Sequence, residues 1–304
     1  MKKPLLVVVA GPTAVGKTAT SIDLALHYHT EIISADSRQF YQEMEIGTAK
    51  PDAMELAAVP HHFVDSHSIT EDYDAGHFAE EANALLLELF QKHEVVFVVG
   101  GSGLYIKALC EGLDDMPTIP EDVRVQLRRE FEQNGLVPLL EELQSSDRVY
   151  YDQVDRKNHQ RVIRALEVTR HTGMPFTHYR SAQTQTSRPY EVIKIGIEED
   201  RAVLYERIDQ RMDQMIAAGL FDEAKALYPQ KGLNALQTVG YREIFGYLGG
   251  DYDYEEAVRL LKRNSRRYAK RQMTWFKRDE SFVWFQRTQL EEMIRMIDEK
   301  MRAG

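Results

Sequence analysis

A short segment near the start of the chain has the pattern of a phosphate-binding loop. It matches G-x-x-x-x-G-K-[ST] at every defined position. The glycines allow backbone N–H groups to turn onto phosphate oxygens, and the helix that follows directs its positive end at the anion. Lys17 adds a full charge, and the Thr18 hydroxyl is the expected ligand of Mg²⁺. The loop predicts a polyphosphate ligand without specifying ATP; its residues are Gly11, Pro12, Thr13, Ala14, Val15, Gly16, Lys17 and Thr18.

Two turns that follow predicted strands carry polar side chains. One contains Asp36 and Ser37, and the other contains Ser102. In a parallel sheet, residues just past the strand ends face one crevice, so Asp36 should lie near whatever carries the phosphate. A carboxylate there can accept a proton from an incoming nucleophile. On this segment alone, a simple turn or helix cap formed by Asp36 and Ser37 is an equal alternative. Ser102, in a glycine turn after a later strand, is expected to bond a phosphate oxygen or a leaving group.

Two arginines four residues apart share one face of a predicted helix that Asp200 caps. Arg207 and Arg211 could close over a diphosphate as a cationic clamp. The competing interpretation is a solvated helix face, on which these arginines pair with Glu206 or Asp209.

Basic residues are concentrated in residues 257–278, which contain nine Lys or Arg and no Asp or Glu. The whole chain has a net charge of −10, and without this segment 29 basic and 48 acidic residues give −19. Nine positive charges on about six helical turns, interleaved with aromatic residues, favour a nucleic-acid backbone as partner. A solvated face or a membrane-surface helix are the alternatives. Lys270 and Arg271 are candidate nucleic-acid contacts here, and a second basic group contains Arg156, Lys157, Arg161, Arg164 and Arg170.

Composition excludes several classes of protein. The 304 residues are 43% hydrophobic and 28% charged, which is ordinary for a globular chain. A lone cysteine, Cys110, excludes an intramolecular disulfide framework and a Cys-based zinc site, and it suits a reducing cytoplasm. The longest apolar run, Leu5 to Ala10, is far shorter than the roughly 18 residues that span a bilayer.

The elements that must position these residues indicate an α/β fold. Apolar runs at Leu5–Ala10, Glu31–Ser34, Val95–Val99 and Val192–Ile197 alternate with helical stretches, which is typical of a parallel sheet flanked by helices. We expect a phosphate-loop core of residues 1–112 and 191–304. A mainly helical insertion, 113–190, interrupts it, with helices predicted at Glu121–Gln133, Leu136–Gln144 and Val154–Thr172.

Two absences narrow the choice of chemistry. The strand Val95–Val99 ends in glycines, where many NTPases carry an Asp that holds Mg²⁺. The guanine-recognition pattern Asn-Lys-x-Asp does not occur in the sequence. Both observations argue against a GTPase switch.

Taken together, the motifs resemble those of the tRNA dimethylallyltransferase (isopentenyltransferase) family, in order and over nearly the whole chain. The segments that carry the resemblance are Gly11–Thr18, Asp36–Tyr41, Ile46–Pro51, Pro60–Asp65, Gly100–Tyr105, Gln160–Glu167, Val239–Glu243 and Tyr268–Phe276.

The resemblance implies transfer of a dimethylallyl group from dimethylallyl diphosphate to N6 of the adenosine just 3′ of the anticodon, with Mg²⁺ as cofactor. The loop would hold the leaving diphosphate, with Asp36, Ser102, Arg207 and Arg211 as catalytic residues. The expected partners are tRNA and dimethylallyl diphosphate, with no membrane, and the chain is expected to be a cytoplasmic monomer. The implied tRNA contacts are Asp36, Ser37, Arg38, Gln39, Ser102, Arg124, Gln160, Arg161, Val162, Ile163, Arg164, Gly240, Tyr241 and Arg242.

Two other functions fit part of the sequence. An ATP-dependent small-molecule kinase would share the loop, an Asp base and a closing arginine pair, but would leave the basic segment unexplained. A non-enzymatic RNA-binding protein gated by a nucleotide would use the basic segment but would not need Asp36.

Overall fold

The computed structural model describes residues 3–180 and 188–303. They divide into two compact units. The first contains the chain up to Glu111 and from residue 188 onward, and the second begins at Gly112. No helix among the described residues is long and apolar enough to cross a bilayer.

The first unit is built on a sheet of six parallel strands: β1 Leu5–Ala10, β2 Ile32–Ser34, β3 His61–His62, β4 Val95–Gly100, β5 Glu191–Glu198 and β6 Phe282–Gln286. Their order across the sheet is β3-β2-β4-β1-β5-β6. The central strands β1 and β4 are buried along their whole length because both faces of the sheet are covered. Leu6 and Val8 face one apolar core, and Val7 and Val9 face the other. The predicted parallel α/β sheet is confirmed.

Nine helices among the described residues belong to this unit. Asp200 caps the helix Arg201–Ala217 as predicted, since its Oδ1 accepts from the N–H groups of Ala202 (2.8 Å) and Val203 (3.3 Å). The helices are α1 Lys17–Tyr28, α2 Ala53–Ala58, α3 Ala75–Leu89, α4 Gly103–Glu111, α10 Arg201–Ala217, α11 Leu220–Leu227, α12 Tyr241–Gly249, α13 Tyr254–Phe276 and α14 Leu290–Ala303.

The second unit is helical and has its own apolar core, which includes Leu127, Leu143 and Leu166. The helix predicted over Val154–Thr172 is confirmed from His159 to Thr172, but its predicted start is wrong. Asn158 accepts from the Arg161 N–H (3.2 Å), so it caps a helix that begins only at His159, and Val154 to Asn158 lie outside it. Its helices are α5 Glu121–Asn134, α6 Val137–Ser146, α7 Arg148–Gln153, α8 His159–Thr172 and α9 Phe176–Tyr179.

The loop predicted over Gly173–Pro189 also needs correction, because α9 lies within it. Residues 181–187 of that stretch fall outside the described residues.

Candidate active site

The phosphate loop connects the buried end of β1 to the start of α1. Gly16 has φ 101°, a left-handed conformation that glycine adopts at little cost. A side chain at Gly11 would lie 2.6 Å from the Ile197 carbonyl oxygen, so only glycine fits against β5 there. The Lys17 ammonium donates to the Pro12 carbonyl (2.8 Å), which folds the lysine back over the loop.

Lys17 is held in an environment that disfavours its charge. Burial lowers the pKa of its ammonium to about 8; the Asp36 carboxylate opposes this shift and the Arg211 guanidinium adds to it. The ammonium therefore remains mostly protonated at neutral pH. A second cation beside it makes this a site that gains from binding an anion.

Asp36 lies just past the end of β2 and lines the same cavity as Lys17 and Thr18. Its Oδ1 accepts from the Arg38 N–H (3.0 Å), so the carboxylate forms the turn that we considered as the alternative. The two interpretations are compatible, because the turn fixes the side chain that faces the cavity.

Ser102 supports this turn. Its Oγ accepts from the Ser37 N–H (2.9 Å) and donates to the Ser37 hydroxyl (3.1 Å). Ser102 is buried, and in this structure its hydroxyl bonds the turn; the phosphate contact stays a prediction. A side chain at Gly100 would lie 2.1 Å from the Ala35 carbonyl oxygen, which explains a glycine at the end of β4.

Both arginines of the predicted clamp line the cavity. Arg211 donates to the Thr13 hydroxyl of the phosphate loop, and burial lowers the pKa of its guanidinium. Arg207 pairs instead with Glu199 (2.9 Å), at the entry to α10. The solvated pairing with Glu206 or Asp209 is not observed for either arginine.

The cavity bounded by these groups has a volume of about 420 Å³. Its wall combines the phosphate loop, the end of β2, one face of α10 and the segment 48–51. This volume is within the range of small-molecule sites. Apolar groups in the wall include Ile32, Ala49, Pro51 and Val99.

Sequence reasoning missed Gln272, which joins α13 to the loop. Its Oε1 accepts from the Thr13 N–H (2.9 Å), and its Nε2 donates to the Gly101 carbonyl (2.9 Å). The available signal was an uncharged glutamine within an otherwise basic segment. One turn earlier, Tyr268 lines the cavity, and burial raises the pKa of its hydroxyl to about 12.

The basic segment is less positive at its surface than its composition implies. Four of its cations are paired with carboxylates: Lys262 with Asp213 (2.6 Å), Arg266 with Asp209 (2.5 Å), Lys277 with Glu198 (2.7 Å) and Arg259 with Glu256 (2.6 Å). Arg267, Lys270 and Arg271 are exposed. Arg271 also lies over the Tyr268 ring (5.7 Å to the centroid).

A further group of arginines surrounds a separate hollow of about 370 Å³ on this unit. Arg263, Arg267 and Arg271 recur every four residues along α13 and therefore share a face. The exposed Arg242 of α12 joins them at the rim.

Several predicted tRNA contacts near β2 and α12 have structural partners. The Arg38 guanidinium donates to the Ser37 carbonyl (2.7 Å). The Gln39 amide donates to the Ala49 carbonyl (3.0 Å). Tyr241 is fully buried and donates to Glu223 (2.6 Å), so a tRNA contact by its side chain is wrong. The N–H of Gly240 donates to Glu243 (2.8 Å) at the start of α12.

Of the tRNA contacts predicted in the helical unit, some side chains are exposed and others are paired or buried. Gln160 and Arg161 are exposed in the first turn of α8, and Arg164 pairs with Glu167 (3.2 Å). Val162 and Ile163 are buried in the core of this unit, so assigning their side chains to tRNA is wrong. Arg124 lies 3.9 Å from Glu121.

Arg170 does not belong to the basic surface either. It bonds Glu130 (2.7 Å) and Glu142 (2.6 Å) at once, and these bonds raise the pKa of its guanidinium. Its role is to join α5, α6 and α8.

The predicted Mg²⁺ ligand, Thr18, lines the cavity beside Lys17. The described residues contain no cluster of three His, Cys, Asp or Glu side chains able to hold a metal by themselves. Mg²⁺ commonly takes few protein ligands and completes its shell with water and substrate phosphates. The single Thr18 hydroxyl at a phosphate site is consistent with this sparse protein ligation.

Comparison with known proteins gives a consistent result. The model of the IPP transferase family matches residues 39–279. A tRNA dimethylallyltransferase of Cytophaga hutchinsonii is 50% identical over 98% of this chain and 97% of its own length. The crystal structure of the tRNA isopentenylpyrophosphate transferase of Bacillus halodurans is 38% identical, with a TM-score of 0.73, and the match covers 99% of this chain and 98% of that one.

A eukaryotic dimethylallyltransferase, whose structures were determined as it acts on tRNA, is 23% identical with a TM-score of 0.75 over 95% of this chain and 75% of its own. At that identity the likeness is one of fold. The match to the family model and the two closer relatives together show that this chain belongs to the IPP transferase family.

Proposed function

We propose that this protein transfers the dimethylallyl group of dimethylallyl diphosphate to N6 of the adenosine 3′-adjacent to the anticodon of tRNA, with release of diphosphate. The observation that carries the proposal is the position of Asp36 in the same cavity as Lys17 and Arg211. A single cavity thus combines a proton acceptor with a cationic anion site. The names of the relatives, which are tRNA dimethylallyltransferases, support the same reaction.

The cations act on the leaving group. Breaking the allylic C–O bond places the electron pair of that bond on diphosphate. The N–H groups of the loop, together with Lys17 and Arg211, stabilise the charge as it develops. Because both cations are already held by Pro12 and Thr13, little reorganisation is needed when that charge forms.

Asp36 acts on the nucleophile. The exocyclic amine of adenine is a weak nucleophile, since its lone pair is delocalised into the ring. The Asp36 carboxylate accepts a hydrogen bond from that amine and takes its proton as the new N–C bond forms. The turn that fixes this carboxylate, through the Arg38 N–H and Ser102, orients it for the transfer.

Mg²⁺, when bound at Thr18, would supply further positive charge to the diphosphate oxygens. Thr18 is the residue we assign to hold it, in line with the sparse protein ligation typical of this ion at phosphate sites.

We assign tRNA contacts to the exposed cations of α13, chiefly Arg267, Lys270 and Arg271, and to Gln160 and Arg161 of the helical unit. Exposed Lys and Arg attract backbone phosphates without reading sequence. The target adenine must leave its stack to reach the cavity, which an anticodon loop permits at modest cost because it is single-stranded.

The most informative test is incubation with undermodified tRNA and dimethylallyl diphosphate, followed by nucleoside analysis. We expect N6-dimethylallyl adenosine at the position 3′ of the anticodon. A parallel titration with ATP addresses the kinase alternative. Productive ATP turnover without any response to the allylic compound would contradict this proposal.

A further inference from the structure

Residues 45–51 contribute an uncharged part of the cavity wall. Thr48, Ala49 and Pro51 all line the cavity. None of the three carries a charge, whereas the loop side offers Lys17 and Arg211. A diphosphate held by the cations would leave this uncharged wall for the rest of the allylic molecule.

This segment is held by a single carboxylate of α11. Glu223 Oε2 accepts from the N–H groups of Ile46 (2.7 Å) and Glu45 (3.1 Å), and its Oε1 accepts from the Gly47 N–H (3.0 Å). Three consecutive N–H groups therefore converge on one side chain. Bonds to an ionised acceptor are about twice as strong as neutral ones.

Buried neighbours fix this carboxylate in place. The Tyr241 hydroxyl donates to Glu223 Oε1 (2.6 Å), and Tyr241 is fully buried. A side chain at Gly47 would lie 2.5 Å from the Tyr241 ring, so the segment passes directly against that ring. The carboxylate cannot turn away without breaking these contacts.

Glu223 holds a conformation that the segment does not favour by itself. Ala49 has φ 50°, a left-handed conformation that is costly for a residue with a side chain. On the cavity side, the Gln39 amide donates to the carbonyls of Thr48 (3.3 Å) and Ala49 (3.0 Å). The segment that brings Ala49 to the cavity wall is thus held by Glu223 at residues 45–47 and by Gln39 at residues 48 and 49.

We propose that Glu223 is a positioning residue for the allylic substrate: it holds residues 45–51 so that Ala49 and Pro51 form the wall against which the isoprenoid chain packs. The inference rests on the proposed function and deepens it by assigning the site that distinguishes a five-carbon chain from a longer one. Glu223 itself does not line the cavity, so it acts only through the segment it binds.

Two substitutions test the assignment. Glu223→Gln places an amide donor against N–H groups and removes the charge, and we expect KM for dimethylallyl diphosphate to rise about tenfold with a much smaller change in kcat. Ala49→Gly removes one methyl from the wall, and we expect KM to rise about threefold, the effect of one buried carbon. Glycine suits φ 50°, so this variant should unfold at the same or a higher temperature than the wild type.

Geranyl diphosphate carries a longer isoprenoid than the substrate, so its strength as an inhibitor reports how much room the wall formed by Ala49 and Pro51 leaves in the cavity. We expect it to inhibit both variants more strongly than the wild type. The matched control is Asp222→Asn, the same loss of charge at the exposed neighbour of Glu223 on α11, which should leave both constants unchanged. The KM for tRNA is the internal control and should not move in any variant.

The outcomes separate the two proposals. An inactive wild type would overturn the proposed function and this inference with it. An active wild type with an unchanged KM for the allylic substrate in Ala49→Gly and Glu223→Gln would overturn this inference alone. Equal effects of Glu223→Gln and Asp222→Asn would also overturn it.

Discussion

Two groups of cations in the first unit have similar composition and very different surroundings. Lys17 and Arg211 lie at the cavity, bonded to Pro12 and Thr13, and burial lowers the pKa of both side chains. Lys270 and Arg271 are exposed to solvent on α13. Gln272 joins α13, which carries the second group, to the phosphate loop, which carries Lys17: it accepts from the Thr13 N–H and donates to the Gly101 carbonyl.

The difference shows how one kind of charge serves two kinds of anion. Charges removed from water interact strongly over short distances and are little screened by salt. Exposed charges interact weakly and are screened beyond about 10 Å at 0.1 M salt. The enclosed pair suits a compact diphosphate in one fixed position, and the exposed set suits an extended polyanion.

The largest expected effect comes from the carboxylate among the enclosed cations. Asp36→Asn keeps an oxygen for the Arg38 N–H but removes the proton acceptor. We expect the rate of prenyl transfer in single-turnover assays to fall about 10²- to 10⁴-fold. The affinity for tRNA, measured separately, should survive.

An equal loss of tRNA binding and turnover would show that Asp36 serves binding rather than proton transfer. The alternative of a non-enzymatic RNA-binding protein does not need this carboxylate, so it predicts that Asp36→Asn leaves the protein's function intact.

Lys17 compares directly with Lys270, because each is a single lysine in one of the two groups. Lys17→Ala removes charge from the developing diphosphate, and we expect kcat/KM for dimethylallyl diphosphate to fall about 10²- to 10³-fold, the usual effect of losing one such group. Lys270→Ala should leave this constant unchanged. Similar losses in the two variants would remove the distinction between enclosed and exposed cations.

The lowered pKa of Lys17 gives the enclosed group a signature in pH. The ammonium is charged below its pKa of about 8 and neutral above it. Since kcat/KM reports groups of the free enzyme, its value for dimethylallyl diphosphate should fall as pH rises through about 8, approaching tenfold per unit.

In the Lys17→Ala variant, kcat/KM should not fall as pH rises through about 8. This result would show that the fall in the wild type comes from Lys17 and not from ionisation of the substrate or tRNA. A wild-type profile that stays level to pH 9.5 would contradict the assignment.

The sequence was sufficient for the site where chemistry imposes a local pattern. The phosphate loop could be predicted directly, because it has a fixed spacing. Asp36 could be placed at the same edge of the sheet, because parallel strands end there, but the segment alone left a simple turn as an equal alternative. The sequence does not show which charged side chains form ion pairs in the folded protein. Nothing local distinguishes Lys262, which meets Asp213, from the exposed Lys270, and nothing local shows that Arg170 meets two glutamates.

Short elements were missed for a related reason. β3 has two residues and β6 has five, which leaves too few positions for a period to emerge. Tyr241 and Val162 lie in motifs shared with the family, but a shared motif does not reveal whether a side chain supports the core or meets the ligand.

The exposed group should control how salt affects tRNA binding. In Lys270→Gln with Arg271→Gln, we expect affinity for tRNA to fall several-fold. The slope of log K against log salt should become less steep by about one for each phosphate that the variant no longer neutralises. Binding isotherms at four or five salt concentrations measure both quantities. An unchanged slope would mean that these side chains do not meet phosphates.

The smallest effect is expected for the cations of α13 that already have partners. Lys262→Gln with Arg266→Gln removes the same charge from the same helix, but these groups are bonded to Asp213 and Asp209 of α10. Because a carboxylate already neutralises each one, few counterions are released when RNA approaches, and the salt slope should stay at the wild-type value. The loss should appear in thermal unfolding instead, at about 0.2–1 kcal/mol for each partly exposed pair. A salt slope reduced as much as in the Lys270 and Arg271 variant would show that tRNA displaces Asp209 and Asp213, and would make the whole helix, rather than its exposed face, the binding surface.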